Sequence, residues 1–139
     1  MNKFHLTAIT RKTCSLPIKN LLKKDLLKGD VLDYGCGKGF DVEYLNCDGY
    51  DIYYRPEFPT KKYDTITCNY VLNVVDEDVR LDILKKIKGL LKEGGVAYVS
   101  VRRDLKEDYV TKKGTKQFLV KLEFPILTEN SGFCTYIVK

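Results

Sequence analysis

The chain has 139 residues, a formal net charge of +5, 44% hydrophobic residues and 31% charged residues. This length allows one domain with its own core but not two, and the apolar runs are too short to span a membrane. Residues 1–15 also lack the apolar segment of a secretory signal. We therefore expect one domain over 1–139, with an N-terminal segment and helix over 1–28 and a sheet core over 29–139.

The first half of the chain predicts a helix, a strand, a short helix and a second strand. Ser15 is a suitable N-cap with Pro17 in the first turn, and leucines at helical spacing continue until Gly29. Two prolines make the segment after the second strand a loop. The predicted ranges are a strand over 30–34, a helix over 41–45, a strand over 49–53 and a loop over 55–59.

The second half predicts four strands and one long helix, whose apolar residues repeat with a period of 3.6. Alternation of apolar residues marks the third of these strands, and the last strand is expected to pair with it in antiparallel fashion. The order of elements predicts an α/β fold with a mostly parallel sheet and an antiparallel C-terminal strand. The predicted ranges are a strand over 63–68, a helix over 76–91, a strand over 96–101, a polar loop over 102–115 and strands over 118–124 and 133–138.

Cysteine and histidine usage argues against disulfide and metal chemistry. The five cysteines are odd in number and include no CxxC pair, which favours free thiols in a reducing cytoplasm. Because His5 is the only histidine, a histidine-based metal cluster is excluded and we expect no metal site. The cysteines are Cys14, Cys36, Cys47, Cys68 and Cys134.

A glycine-rich turn after the first strand is the most informative motif. The strand ends in Asp33-Tyr34, and Gly35, Gly37 and Gly39 follow at alternate positions before a helix begins. Strand, glycine turn and helix present backbone to a nucleotide-like ligand in α/β domains. Glycine is required there because the turn takes positive φ angles and the ligand packs on the backbone. An ordinary strand-to-helix turn is the alternative.

The charge of Asp33 distinguishes between nucleotide ligands. A carboxylate at this position repels a pyrophosphate, whereas it suits the protonated amine and sulfonium of S-adenosylmethionine. The G-x-G-x-G spacing also differs from the dinucleotide fingerprint G-x-G-x-x-G. The motif therefore predicts S-adenosylmethionine as cofactor and disfavours an NAD-dependent oxidoreductase.

Three segments in order resemble the class I S-adenosylmethionine-dependent methyltransferases, whose fold is Rossmann-like. Residues 31–39 are similar to their first motif, 63–75 to their fourth strand and following loop, and 90–96 to the turn before their fifth strand. A narrower resemblance links the chain to the much longer methyltransferases associated with DNA phosphorothioation. It includes His5, Arg11 and the segments 33–37, 53–56 and 111–117.

The resemblance implies roles for individual residues. Asp33 is expected to bind the cofactor amine, and Asp51, or Asp48 in its place, the ribose hydroxyls. Only a dozen residues separate Asp51 from Asp64, so the family's third strand and its helix are expected to be missing. The predicted cofactor-binding residues are Asp33, Gly35, Cys36, Gly37, Gly39, Asp51, Ile52, Asn69, Tyr70 and Val71.

Some roles stay open between two interpretations. Tyr53, Tyr54 and Phe58 either stack on the adenine or pack on the core. His5 is a weak candidate for a catalytic base, with a solvated tail residue as the alternative. Asp41 is interpreted as a helix N-cap. Three clusters of lysines either attract nucleic acid or form solvated faces of helices and a loop. They are Lys19, Lys23, Lys24 and Lys28; Lys85, Lys86, Lys88 and Lys92; and Lys112, Lys113 and Lys116.

The methyl acceptor cannot be read from a familiar motif. Residues 68–71 read Cys-Asn-Tyr-Val and lack the prolines of adenine-N6 and cytosine-N4 methyltransferases, and Cys68 does not follow a proline as in cytosine-C5 enzymes. The leading hypothesis is therefore a methyltransferase acting on a small molecule or a nucleic acid, with a partner protein for target recognition if the target is large. The alternative is a non-catalytic module that binds S-adenosylmethionine within a larger, DNA-associated complex.

Overall fold

The computed structural model describes residues 13–139, so His5 and Arg11 lie outside the described residues. Its elements alternate between helices and strands and then end in a run of strands. In chain order they are α1 (Leu16–Lys23), β1 (Val31–Tyr34), α2 (Phe40–Leu45), β2 (Asp48–Tyr50), β3 (Tyr63–Asn69), a 3-10 turn (Leu72–Val74), α3 (Glu77–Gly89), β4 (Leu91–Arg102), β5 (Tyr109–Val110), β6 (Lys116–Gln117), β7 (Ile126–Glu129) and β8 (Phe133–Val138).

The main sheet has six strands in the order β2-β1-β3-β4-β8-β7. The pairs β1–β2, β1–β3 and β3–β4 are parallel, whereas β8 pairs in antiparallel fashion with both β4 and β7. The predicted α/β fold with an antiparallel C-terminal end is therefore confirmed. The remaining strands, β5 and β6, form a separate two-stranded hairpin.

Residues 51–62, between β2 and β3, contain neither a further strand nor a helix. Asp51 and Arg55 instead close a tight turn by exchanging backbone hydrogen bonds of 3.0 and 2.9 Å. The third strand unit of the resembled family is therefore missing, as predicted, and β2 forms the edge of the sheet.

Helices cover both faces of the sheet. Leu84 and Ile87 of α3 pack on Leu32, Ile66 and Val99 in the larger core cluster. Helices α1 and α2 pack on the opposite face, where Ile18, Leu21 and Tyr98 form the second cluster. Strand residues that alternate between the two clusters, such as Tyr98 and Val99, account for the nearly continuous apolar run of β4. Across residues 13–139 the longest apolar helix is too short to cross a membrane.

Helix α1 ends at Lys23, well before the predicted stop at Gly29. Asp25 takes a left-handed φ of 55°, and the Leu26 N–H donates to the carbonyl of Leu21 over 3.0 Å. This is the Schellman arrangement, in which the chain reverses after the last turn. Leu26 and Leu27 lie after the helix and pack against the second core cluster.

The predicted strand over 118–124 is wrong, and the strand that pairs with β8 is β7 (Ile126–Glu129). The alternating residues do face the core, since Val120 is buried and its apolar neighbours pack against the larger cluster. Side chains take the hydrogen bonds that a neighbouring strand would make: Arg103 Nη1 donates to the Val120 carbonyl and the Leu122 N–H donates to the Tyr136 hydroxyl. Alternation therefore identified the burial of this segment but not its partner.

Three further boundaries differ from the predictions. β4 begins at Leu91, five residues before the predicted start, because Leu91 already pairs with Tyr63 of β3. β2 ends at Tyr50, three residues before the predicted end of that strand, because the chain turns at Asp51. The predicted loop over 102–115 contains β5, which pairs with β6.

Candidate functional site

A cleft of about 210 Å³ lies at the carboxyl ends of β1, β2 and β3. Ligands of open α/β sheets bind at this edge. Nine of the ten residues predicted to bind a cofactor line the cleft, which are Asp33, Gly35, Cys36, Gly37, Asp51, Ile52, Asn69, Tyr70 and Val71. Residues nearly 40 positions apart in the chain thus meet in one place.

Gly39 does not line the cleft. It is the N-cap of α2 with a φ of +86°, and a Cβ atom there would lie 2.5 Å from Nη2 of Arg55. The left-handed backbone is what requires glycine here, because the Arg55 guanidinium is the end of a flexible side chain that can move aside. Gly39 allows the helix to begin close to the turn that follows β2.

The glycine loop is held against the end of β2. The N–H groups of Gly35 and Cys36 both donate to the carbonyl of Tyr50, at 2.7 and 2.9 Å. Gly35 has a φ of +78°, and a Cβ atom on it would overlap Cγ2 of Val71. The absence of a side chain thus keeps the loop close to the segment after β3 and leaves its backbone open to the cleft.

Asp33 supplies a buried carboxylate at the end of β1, with 4% of its surface exposed. The hydroxyl of Thr67 donates to Oδ1 of Asp33 over 2.8 Å, and Thr67 is fully buried. The two residues face each other across the parallel β1–β3 pair. Sequence reasoning missed Thr67, because only the register of the two strands brings it to Asp33.

Asp51 lies at the turn after β2 and connects two loops through its carboxylate. Oδ2 accepts the Gly37 N–H at 2.8 Å, while Oδ1 accepts the N–H groups of Tyr53 and Tyr54 at 2.9 and 3.0 Å. A carboxylate has about four acceptor positions, so three are already used by the backbone. Asp51 therefore uses most of its acceptor capacity to hold the two loops together.

The last residue of β3 carries a buried side-chain amide that has no hydrogen bond to the described part of the chain. Asn69 Oδ1 and Nδ2 are both buried and have no hydrogen-bond partner among the described residues. Tyr70, which follows, has a left-handed φ of 61°, and its N–H donates to the carbonyl of Ser100. An orphaned buried amide is uncommon in native proteins, and left-handed non-glycine residues concentrate at functional sites. Both features lie in the lining of the cleft.

Asp41 is not the N-cap of α2, because Gly39 holds that position. It lies in the first turn of the helix, where its carboxylate accepts the N–H of Ser15 at 3.0 Å and the Ser15 hydroxyl at 2.8 Å. Ser15 and Asp41 are both buried. This pair fastens the start of α1 to the rim of the cleft, a contact between residues 26 positions apart that no local pattern indicates.

Aromatic residues of the β2 end and the loop after it divide into two groups. Phe58 packs edge-on against Tyr34 and Tyr50, with ring centroids 6.5 and 5.2 Å away. Tyr53 and Tyr54 contact each other at 4.8 Å and are absent from the lining of the cleft. Phe58 thus follows the core-packing interpretation, whereas Tyr50 and Ile52 are the apolar residues of this segment that line the cleft.

Helix α3 forms the outer wall of the cleft, which the sequence did not indicate. Val79 and Ile83 contribute apolar surface, and Asp82 and Lys86 contribute charges. Asp82 Oδ2 and Lys86 Nζ form an ion pair of 2.8 Å at the usual i, i+4 helix spacing. The same ion pair raises the pKa of Lys86, mainly through the hydrogen bond with Asp82.

The charged residues outside the cleft are partly paired. Asp48, the second candidate for the ribose, accepts the Tyr63 hydroxyl at 2.7 Å and does not line the cleft. Lys28 pairs with Asp25, and Lys92 pairs with two carboxylates. These partners favour the solvated interpretation for Lys28 and Lys92, whereas Lys86 of the second cluster lines the cleft.

Cys36 lines the cleft, and its surroundings disfavour the thiolate form. Burial raises its pKa to about 12, and the negative charges of Asp33 and Asp51 act in the same direction. The side chain is therefore protonated at every pH below that value. Sγ of Cys36 lies 3.8 Å from the carbonyl oxygen of Gly37, and the S–H group donates a weak hydrogen bond to that oxygen.

We expect iodoacetamide at pH 8 to alkylate Cys36 in the folded protein roughly fiftyfold more slowly than in the urea-unfolded chain, because the raised pKa lowers the thiolate fraction more than it increases thiolate nucleophilicity. Timed quenching and peptide mass spectrometry measure both rates. Equal rates in the two states would contradict the raised pKa.

Comparison with known proteins agrees with the fold. A family model described as a methyltransferase domain matches residues 6–130. The 1,6-didemethyltoxoflavin-N1-methyltransferase of Burkholderia thailandensis, solved with S-adenosylhomocysteine, has a TM-score of 0.65 at 16% identity, covering 87% of this chain and 74% of that one. The DhpI–SAH complex has a TM-score of 0.60 at 14% identity, covering 87% and 81%.

A third solved structure is similar over almost its whole length. The S-adenosylmethionine-dependent methyltransferase from Clostridium acetobutylicum ATCC 824 has a TM-score of 0.56 at 15% identity, covering 88% of both chains. No curated protein matched the chain significantly. At these identities the likeness to solved structures establishes a shared fold.

Proposed function

Since the chain belongs to the family of methyltransferase domains, we propose that it binds S-adenosylmethionine in the cleft and transfers its methyl group to a small molecule or a nucleic acid. The observation that carries this proposal is the lining of the cleft. A buried carboxylate at the end of β1, a glycine loop with backbone open to the cleft and the orphaned Asn69 amide meet at one edge of the sheet.

The residues present fit this cofactor. The buried Asp33 carboxylate provides a negative charge for an ammonium group, and Thr67 holds it in position. Asn69 offers both a donor and an acceptor that no other residue within 13–139 uses. Tyr50, Ile52 and Val71 supply apolar surface for a flat ring.

The chemistry required of the protein is mainly alignment. When bound, S-adenosylmethionine supplies an electrophilic methyl group on a sulfonium, and in-line displacement needs no covalent enzyme intermediate. The glycine loop, Asp33 and Asp51 hold a ligand at fixed positions, and such positioning contributes a large part of the rate in two-substrate reactions. A base is required only for an acceptor that arrives protonated.

The acceptor proposal rests on resemblance and charge. The likeness of residues 33–37, 53–56 and 111–117 to methyltransferases associated with DNA phosphorothioation supports an acceptor linked to nucleic acid. Lys112, Lys113 and Lys116 lie on and beside the β5–β6 hairpin without an ion-pair partner among the described residues. The neighbour from Burkholderia was solved with the small molecule 1,6-didemethyltoxoflavin, which supports a small acceptor instead.

The experiment that tests this function has two stages. Calorimetric titration with S-adenosylmethionine and S-adenosylhomocysteine is expected to give a micromolar Kd for each, since both carry the same amine and adenosine. Incubation with tritiated S-adenosylmethionine and separate fractions of small molecules, RNA and DNA then identifies the acceptor by transferred label. NADH is the control ligand, because its pyrophosphate is repelled by Asp33.

The outcomes separate an enzyme from a binding module. Binding followed by labelling of one fraction supports the transferase. Binding with no labelled fraction favours the non-catalytic module, for which the missing third strand unit is the structural argument. Failure to bind either adenosyl compound contradicts both.

A further inference from the structure

The outer wall of the cleft carries a charged pair that the proposed role of the inner cleft does not use. Asp82 and Lys86 of α3 line the same cleft as the glycine loop, beside the apolar Val79 and Ile83. Both charged side chains are about half exposed, at 56% and 49% of their surface. Their ion pair is of the usual helix-surface kind, and it differs from the other surface ion pairs of the described residues in that both of its members line the cleft.

The wall is open to the cleft because the sheet ends at β2. Residues 51–62 form a turn and a loop, so within residues 13–139 no strand follows β2 at this edge of the sheet. The apolar surfaces of Tyr50, Ile52 and Val71 lie in the same cleft as the wall. The Tyr50 hydroxyl is near enough to add to the raised pKa of Lys86, after the larger effect of Asp82, so the α3 pair borders the apolar surface proposed for the ring.

The hydrogen-bonding groups of the paired side chains complement the Watson–Crick edge of adenine. Asp82 Oδ2 lies 2.8 Å from Lys86 Nζ, which places an acceptor directly beside a donor. The Watson–Crick edge of adenine presents a donor, its exocyclic amine, beside an acceptor, its ring N1. Hypoxanthine presents the reverse order, so an acceptor–donor pair of fixed charge accepts one base and disfavours the other.

We propose that Asp82 and Lys86 read the adenine edge of the cofactor, with the Asp82 carboxylate accepting from the exocyclic amine and the Lys86 ammonium donating to N1. This inference rests on the proposed binding of S-adenosylmethionine. The pair thereby supplies specificity from α3, at the place where this chain has no third strand unit.

The test compares S-adenosylhomocysteine with S-inosylhomocysteine by calorimetry on the wild type, Asp82→Ala and Asp78→Ala. Asp78 lies one turn earlier on α3, is exposed and does not line the cleft, so its substitution is the matched control. Because the pair is half exposed, we expect the wild type to prefer the adenosyl compound about tenfold and Asp82→Ala to lose that preference. Asp78→Ala is expected to behave as the wild type.

Each result has a definite meaning. A wild type that binds both compounds equally, or an Asp82→Ala variant that keeps the tenfold preference, overturns the inference and leaves the proposed function standing. A wild type that binds neither compound contradicts the proposed function itself. If Asp82→Ala does not fold, Lys86→Met provides the same comparison, with the exposed Lys85→Met as its control.

Discussion

Asp33→Asn is expected to weaken binding of S-adenosylhomocysteine a few hundredfold, about 3 to 4 kcal/mol, because a buried ammonium partner loses its counter-charge. The substitution keeps the shape of the side chain and an oxygen that can accept from Thr67. Its effect therefore reports the charge, and calorimetric titration measures it. The unfolding free energy is expected to change little.

Two comparisons test this explanation. Asp76→Asn changes the net charge equally at an exposed position outside the cleft and is expected to bind as the wild type. Thr67→Val removes the hydroxyl that holds Asp33 and is expected to weaken binding by about tenfold, the cost of one hydrogen bond to a charged group. If Asp33→Asn binds with wild-type affinity, the proposed contact between Asp33 and the cofactor amine is wrong.

Asp51→Ala is expected to destabilise the free protein by about 2 to 4 kcal/mol, because three backbone N–H groups of two loops lose their acceptor at once. Urea unfolding of the ligand-free protein measures this loss. The effect does not depend on a ligand, so it separates the role of Asp51 in holding the loops from a role in binding ribose.

Glu57→Ala is the control, since Glu57 lies exposed in the same loop. Asp51→Asn keeps one acceptor oxygen and the shape of the side chain, so an intermediate stability is expected. If Asp51→Ala unfolds at the wild-type urea concentration and only its ligand affinity falls, the three backbone contacts contribute nothing and Asp51 acts on the ligand alone.

Local patterns were sufficient for much of the fold. The 3.6-residue period placed α3 within two residues of its bounds at Glu77–Gly89. The number of residues between Asp51 and Asp64 predicted the missing third strand unit, because a crossover connection does not fit in a dozen residues. Local patterns gave a wrong prediction where a neighbouring strand decides the structure. The alternation in the segment 118–124 indicates burial, but it does not show whether another strand pairs with it.

The candidate site shows the same division. The glycine loop and Asp33 were recognisable because a turn and its ligand impose residue types at fixed short spacing. The hydroxyl of Thr67 on Asp33, the three N–H groups on Asp51 and the wall formed by α3 depend on long-range contacts. The sequence by itself thus determined α3, the parallel strands and the chemistry at the end of β1. Only the tertiary structure decided which side chains and backbone groups surround the end of β1. Strand register and helix packing bring these groups together, although they are far apart in the sequence.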